Sequence, residues 1–217
     1  MVMAPKHSSF VSRRGVLAGA AALVAAPAWA AAKPRRIAML GDSITAGFGL
    51  PPSQALPARL KAELGRLGWP VEVLAAGRNG DTTGGGVSRV DRATPPGVSL
   101  CVVALGANDL LNGADPATVG ANLDRILARL RQRKVAAVLA GVRAPPIFDP
   151  GYARRFNAAF ESAARRHGAG FLPDLLAGVL LNPSLNQRDG IHPNAAGVQV
   201  IARNLAPVVA RSLERLG

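Results

Sequence analysis

The sequence predicts an α/β fold, with five parallel strands between two layers of helices in a three-layer α/β/α arrangement. Three observations carry this. Short apolar runs alternate with longer segments of helical periodicity. The runs lack the alternation of a half-exposed strand, so both faces of the sheet should be covered. Glycine and proline mark the boundaries between segments. The 217 residues suit one ordinary domain, and 49% apolar against 18% charged content supplies a sizeable core.

The first 30 residues stand apart. Residues 1–14 are polar and basic and end in Ser12-Arg13-Arg14. Gly15 to Ala26 is apolar but too short and weak to span a bilayer, and Ala28-Trp29-Ala30 has the small-x-small form of a cleavage site. The order reads as a bacterial export signal, and the paired arginines resemble its twin-arginine type, which implies that export machinery as a partner. An uncleaved arm is the alternative. Residues 1–30 are therefore expected to be the signal and 31–217 a single domain. The mature protein should be periplasmic or secreted, with no stable membrane insertion.

The elements follow in order. Arg36 to Gly41 reads as a buried strand. Ser53 is expected to cap a helix running to about Leu67, with Gly68 as its stop. Val71 to Ala75 is the second strand, followed by a short helix over about 83–92. Pro95-Pro96-Gly97 is a turn, and Leu100 to Leu105 the third strand. Asp115-Pro116 opens a helix with proline at its first position, and Val119, Leu123, Ile126, Leu127 and Leu130 form its apolar stripe. Val135 to Gly141 is the fourth strand, Tyr152 to His167 a helix and Gly170 to Leu172 the fifth strand. Asn194 caps the last helix, whose apolar face holds Val198, Ile201, Leu205, Val208 and Val209.

In a parallel sheet the ligand sits beyond the carboxyl ends of the strands. Ser43, Gly80 and Asn108 follow strands one, two and three, and Asp189 and His192 lie after strand five, in a loop that reaches the same edge. A serine hydroxyl needs a base to take its proton. An imidazole such as that of His192 suits this, since the ordinary value of about 6.5 lies near working pH. Asp189, three residues earlier, can fold back to fix the ring's tautomer and stabilise the imidazolium. The backbone N–H groups of Ser43 and Gly80 and the amide of Asn108 can face the oxyanion of a tetrahedral intermediate. Each residue also has a bland role: Ser43 as a cap, His192 at a helix entry, and Asp189, Gly80 and Asn108 as turn formers. Asp42, Asp81 and Asp109 read as loop-shaping and capping groups.

Several chemistries are excluded. Gly41 to Gly47 lacks the Lys-Ser/Thr of a P-loop, and Gly47-Phe48-Gly49 lacks the third glycine of a dinucleotide fingerprint. Ser43 is not in a G-x-S-x-G elbow. Cys101 is the only cysteine, in an apolar run, so neither a disulfide nor a catalytic thiol is expected. Few histidines and no cysteine cluster argue against a metal. The net charge of +13 is spread over several helices without interleaved aromatics and reads as a solvated basic surface, not a nucleic-acid site. The Arg129 to Lys134 cluster falls at a helix C-terminus, where cations are favoured. No cofactor is expected.

At these residues the chain resembles the SGNH, or GDSL-type, hydrolases. Gly41-Asp42-Ser43, Gly80, Asn108 in Gly-Ala-Asn-Asp and Asp189-Gly190-Ile191-His192-Pro193 are similar to that family's four blocks. Thr45 to Leu50, Gln54 to Pro57, Asn79 to Thr83 and Arg154 to Phe160 are similar to its periplasmic thioesterase I, lysophospholipase and arylesterase branch. Asn79 stands where that branch usually has serine, and Ala75 near its asparagine. The resemblance implies a flavodoxin-like sheet and a cofactor-free serine esterase. The implied substrates are short acyl or aryl esters, lysophospholipids and thioesters. It also implies that the segment from Arg143 to Asp149 lies beside the acyl pocket, with Pro145 and Pro146 as substrate-binding residues. A carbohydrate or cell-wall O-acetyl esterase and a non-catalytic periplasmic binding protein are the alternative functions.

Overall fold

Strand β1 (Arg35–Gly41) lies inside the sheet between β2 (Val71–Gly77) and β3 (Val98–Ala104), and β4 (Ala136–Ala140) and β5 (Gly170–Leu172) continue beyond β3. Every neighbouring pair is parallel. The order β2-β1-β3-β4-β5 reverses direction at β1, which makes the crevice beyond β1 and β3 the topological switch point. The structure, a computed structural model, describes residues 1–3 and 34–217, so the expected export signal beyond residue 3 lies outside the described residues. The chain divides into units Met1–Ala32 and Lys33–Gly217, and the sheet belongs to the second.

Seven helices cover the sheet among the described residues: α1 (Ser43–Ala46), α2 (Leu56–Arg66), α3 (Thr83–Ala93), α4 (Ala107–Leu111), α5 (Pro116–Gln132), α6 (Pro150–His167) and α7 (Ala195–Glu214). Alternate residues of each strand feed opposite cores. Ile37, Met39, Leu100, Val102 and Val138 pack with α2 and α7. Ala38, Leu40, Cys101, Val103 and Leu139 pack with α3, α5 and α6. The α5 stripe Val119, Leu123, Ile126, Leu127 and Leu130 is buried as its spacing predicts. Each buried leucine there contributes about 2 kcal/mol relative to exposure.

Some boundaries differ from expectation. Ser53 caps nothing: it lies in a 3-10 turn, Pro52–Gln54, and α2 starts at Leu56 after Ala55, which makes no side-chain cap bond. Pro57 tolerates that start, because its missing N–H is one the first turn leaves unpaired. Helix α6 starts at Pro150, not Tyr152, since Asp149 accepts from Tyr152 N–H at 2.7 Å. This is the same Asp-Pro signal as at Asp115-Pro116. Helices α1 and α4 were not expected, because four or five residues are too few to show a period. Both follow directly on the two strands that frame the switch point.

Candidate active site

Gly41 ends β1 where no side chain fits, since a Cβ there would collide with Thr45 and with the Ala104 carbonyl. The chain turns at once into α1, capped by Asp42, whose Oδ1 accepts from Ile44 N–H at 3.0 Å. Ser43 is thereby presented at the switch point. Its Oγ lies 3.0 Å from His192 Nε2, and His192 Nδ1 lies 2.6 Å from Asp189 Oδ2. An ionised carboxylate can only accept, so Nδ1 carries the proton and Nε2 is free to accept from the serine hydroxyl.

Asp189 is fixed by its own backbone. Its Oδ1 accepts from His192 N–H at 3.0 Å and from Ile191 N–H at 2.9 Å. The His192 N–H, then the His192 ring and the Ile191 N–H, hold its carboxyl at about 2, well below the usual carboxylate range. Phe48 packs on the imidazole with ring centroids 4.5 Å apart. Gln187 donates from Nε2 to Phe48 O at 2.8 Å, tying that loop to the histidine loop.

Gly80 occupies an exposed turn at φ +74°, a left-handed conformation that glycine adopts without strain. Asn108, in the first turn of α4, donates from Nδ2 to Asp81 O at 2.8 Å. This bond joins the Gly80-Asp81 turn to α4 and leaves the second amide proton available. Among the described residues no acceptor bonds the N–H of Ser43 or Gly80. The three expected oxyanion donors thus come from neighbouring ends of β1, β2 and β3.

One residue that organises this edge carried no motif. Arg89, inside α3, donates to Asp81 Oδ2 at 2.6 Å, to Ala76 O at 2.7 Å and to Gly41 O at 2.8 Å. Its guanidinium therefore clamps the ends of β1 and β2 to the Gly80-Asp81 turn, with both partners of the ion pair largely buried. An arginine in the middle of a helix gives a single sequence no sign of such a role. Asp109 accepts from Thr83 N–H at 2.8 Å and from its hydroxyl at 2.6 Å, fixing α3 to α4. Asp42, Asp81 and Asp109 are thus the capping and loop-shaping groups expected. Burial pushes the Asp42 carboxyl up to about 6, with the Ile44 N–H pulling the other way.

Ser43, Asn108 and His192 open on a cavity of about 220 Å³ walled mainly by Ile44, Leu110, Val142, Phe148, Leu176 and Leu180. Pro145 belongs to this wall, but Pro146 does not. The turn closed by Phe148 N–H on Pro145 O faces Pro146 to solvent, which corrects its expected role. Asn157 holds this segment, accepting from Ala144 N–H at 3.0 Å. Gly80 is not part of this wall. Among the described residues no three His, Cys, Asp or Glu side chains cluster as a metal would require. Cys101 is buried in β3, and burial pushes its thiol up to about 12.

Comparison with known proteins gives the family and the fold. The profile of the GDSL-like lipase/acylhydrolase family matches residues 39–200. Esterase TesA of Pseudomonas aeruginosa is 32% identical over 195 residues, covering 89% of this chain and 96% of its own. Thioesterase 1/protease 1/lysophospholipase L1 of Escherichia coli K12 is 31% identical, covering 82% and 87%. The crystal structure of AlinE4, an SGNH-hydrolase family esterase, superposes with a TM-score of 0.70 at 36% identity, covering 83% and 97%.

Proposed function

We propose, for a chain that belongs to the GDSL-like lipase/acylhydrolase family, a serine esterase mechanism that passes through an acyl-enzyme on Ser43. Membership makes the chain an ester-hydrolysing enzyme. The observation that supports the assignment of roles is the unbroken line from Ser43 Oγ through His192 to Asp189, at 3.0 and 2.6 Å.

Ser43 Oγ attacks the ester carbonyl carbon while His192 Nε2 takes the hydroxyl proton. The carbonyl oxygen becomes an oxyanion that accepts from Ser43 N–H, Gly80 N–H and Asn108 Nδ2. The imidazolium, stabilised by Asp189, gives its proton to the leaving oxygen, and the alcohol departs. Water then attacks the acyl-serine, His192 takes its proton, and return of that proton to Ser43 Oγ releases the acid.

The substrates we favour are short acyl or aryl esters and lysophospholipids, with thioesters as a further class. Two observations support them: the apolar cavity, and the esterase and lysophospholipase names of similar proteins. Export to the periplasm or beyond through the twin-arginine route is part of the same proposal, and rests on residues 1–30. No helix among the described residues is long and apolar enough to cross a membrane.

The test is hydrolysis of 4-nitrophenyl acetate and butyrate. Ser43→Ala is expected to lower kcat by about 10⁴-fold or more. Equal turnover by this variant would remove Ser43 as nucleophile. Asn108→Ala should lower kcat by about 10²-fold, and unchanged turnover would take it out of the oxyanion site.

A further inference from the structure

We propose that the rim of the active-site cavity is a docking surface for an anionic lipid–water interface. The fate of the acyl chain rests on the esterase reading above; the docking does not. Apart from Met1 to Met3, Leu67 and Leu216, every large apolar side chain exposed among the described residues stands around this one opening: Phe48, Leu111, Ile147, Leu181 and Ile191. Leu111 and Ile191 are in the cavity wall, and Phe48 packs on His192. Ile147 tops the turn between Pro145 and Phe148, and Leu181 follows Leu180, all three neighbours being wall residues. Scattered exposed apolar residues need no explanation, but a ring of them around a cavity mouth marks an interaction site.

Ile147 and Leu181 decide what kind of site it is. They are the most exposed of the five, at 89% and 76%, and neither lines the cavity. A small dissolved ester has no use for them. Leu181 moreover sits at φ +62°, where leucine is strained and asparagine or glycine would be at ease. An apolar side chain held in solvent at a strained position does not serve folding.

The chain's net charge of +13 points to the partner's sign. Arg143 and Arg188 are exposed there and make no ion pair among the described residues. Arg143 is in the cavity wall and Arg188 shares a groove with Leu181. Three acids stand there too, Asp149 bonded to Tyr152 N–H, Asp174 to Leu176 N–H and Asp189 to His192, so the sign comes from the chain as a whole. Apolar tips fringed by arginines are what an anionic interface takes up, the tips entering the acyl boundary and the guanidinium groups meeting headgroup phosphates. Docked this way, the mouth opens directly onto the lipid that supplies the ester.

The test is co-sedimentation of the full chain with phosphatidylglycerol and with phosphatidylcholine vesicles. Wild type is compared with Ile147→Glu and with the double variant Ile147→Glu/Leu181→Asn, in which asparagine suits the left-handed backbone. Turnover of 4-nitrophenyl butyrate is read on the same preparations. Wild type should prefer phosphatidylglycerol about tenfold or more and lose that preference at high salt. The double variant should bind about tenfold more weakly and the single variant fall between, with soluble-ester turnover kept within about twofold. No vesicle binding by wild type would overturn the proposal. So would equal binding by all three, as the apolar stretch at 15–26 alone would produce. A wild-type dimer that the double variant abolishes, without vesicle binding, would assign the rim to a second copy instead. Vesicle binding without any ester turnover would sink the esterase reading and leave the docking surface standing.

Discussion

Asp42 and Asp189 flank the same hydroxyl and imidazole and are pushed in opposite directions. Burial raises Asp42 to about 6 from an ordinary 3.8, while backbone N–H groups and the His192 ring lower Asp189 to about 2. Between about pH 4 and 6 the folded chain keeps a proton on Asp42 that the unfolded chain has lost, so stability falls as pH rises through that window. A shift of that size corresponds to about 3 kcal/mol at neutral pH. Asp189 works the other way: its contribution is present above about pH 4 and is lost as pH falls towards 2. Asp42→Asn keeps an acceptor for Ile44 N–H and removes the ionisation. Urea unfolding should show it more stable than wild type by about 1–3 kcal/mol at pH 7.5 and unchanged at pH 4. An equal change at both pH values would point to packing instead. His192 lies close enough to pull the Asp42 carboxyl down, so the same change alters the field at the catalytic residues, and kcat on 4-nitrophenyl butyrate should fall while stability rises.

At the scale of elements, α3 is held to the strand ends by one guanidinium. Arg89→Lys keeps the charge but cannot reproduce three directed donors. It should lower kcat by about 10- to 100-fold with KM within about threefold, because the Gly80 turn loses its register. Arg89→Met leaves Asp81 buried and unpaired, which costs about 3–5 kcal/mol, and adding Asp81→Asn should recover part of it. A double variant no more stable than Arg89→Met would mean the pair is not coupled. The sequence made the catalytic line legible because Ser43 starts the helix that follows β1, and Asp189 and His192 share one short loop ahead of α7, so each falls in a compact motif. The clamp was illegible because Arg89 acts through backbone carbonyls of Ala76 and Gly41, which leave no trace in residue type. Element cores were legible from period, as in α5. The ends were not, as at Ser53, which lies in a 3-10 turn opened by tandem prolines while α2 starts later, at Leu56, without a side-chain cap.

At the scale of the molecule, the two cores share one sheet and should open together. Cys101 reports on that opening, since it lies fully buried in β3 between β1 and β4, on the face packed by α3, α5 and α6. It is the only thiol in the chain, and burial pushes it up to about 12, so the native thiol is both shielded and protonated. Alkylation therefore requires separation of a central strand from helices on its face, an event that destroys the core as a whole. For a domain with ordinary stability of at least about 5 kcal/mol, labelling at pH 8 should run about 10³-fold or more slower than in the unfolded chain. The logarithm of the labelling rate should rise with urea at the slope of global unfolding. A flat dependence would instead reveal a local route to β3, and would divide the molecule into a stable α2–α7 layer and a looser α3–α5–α6 layer.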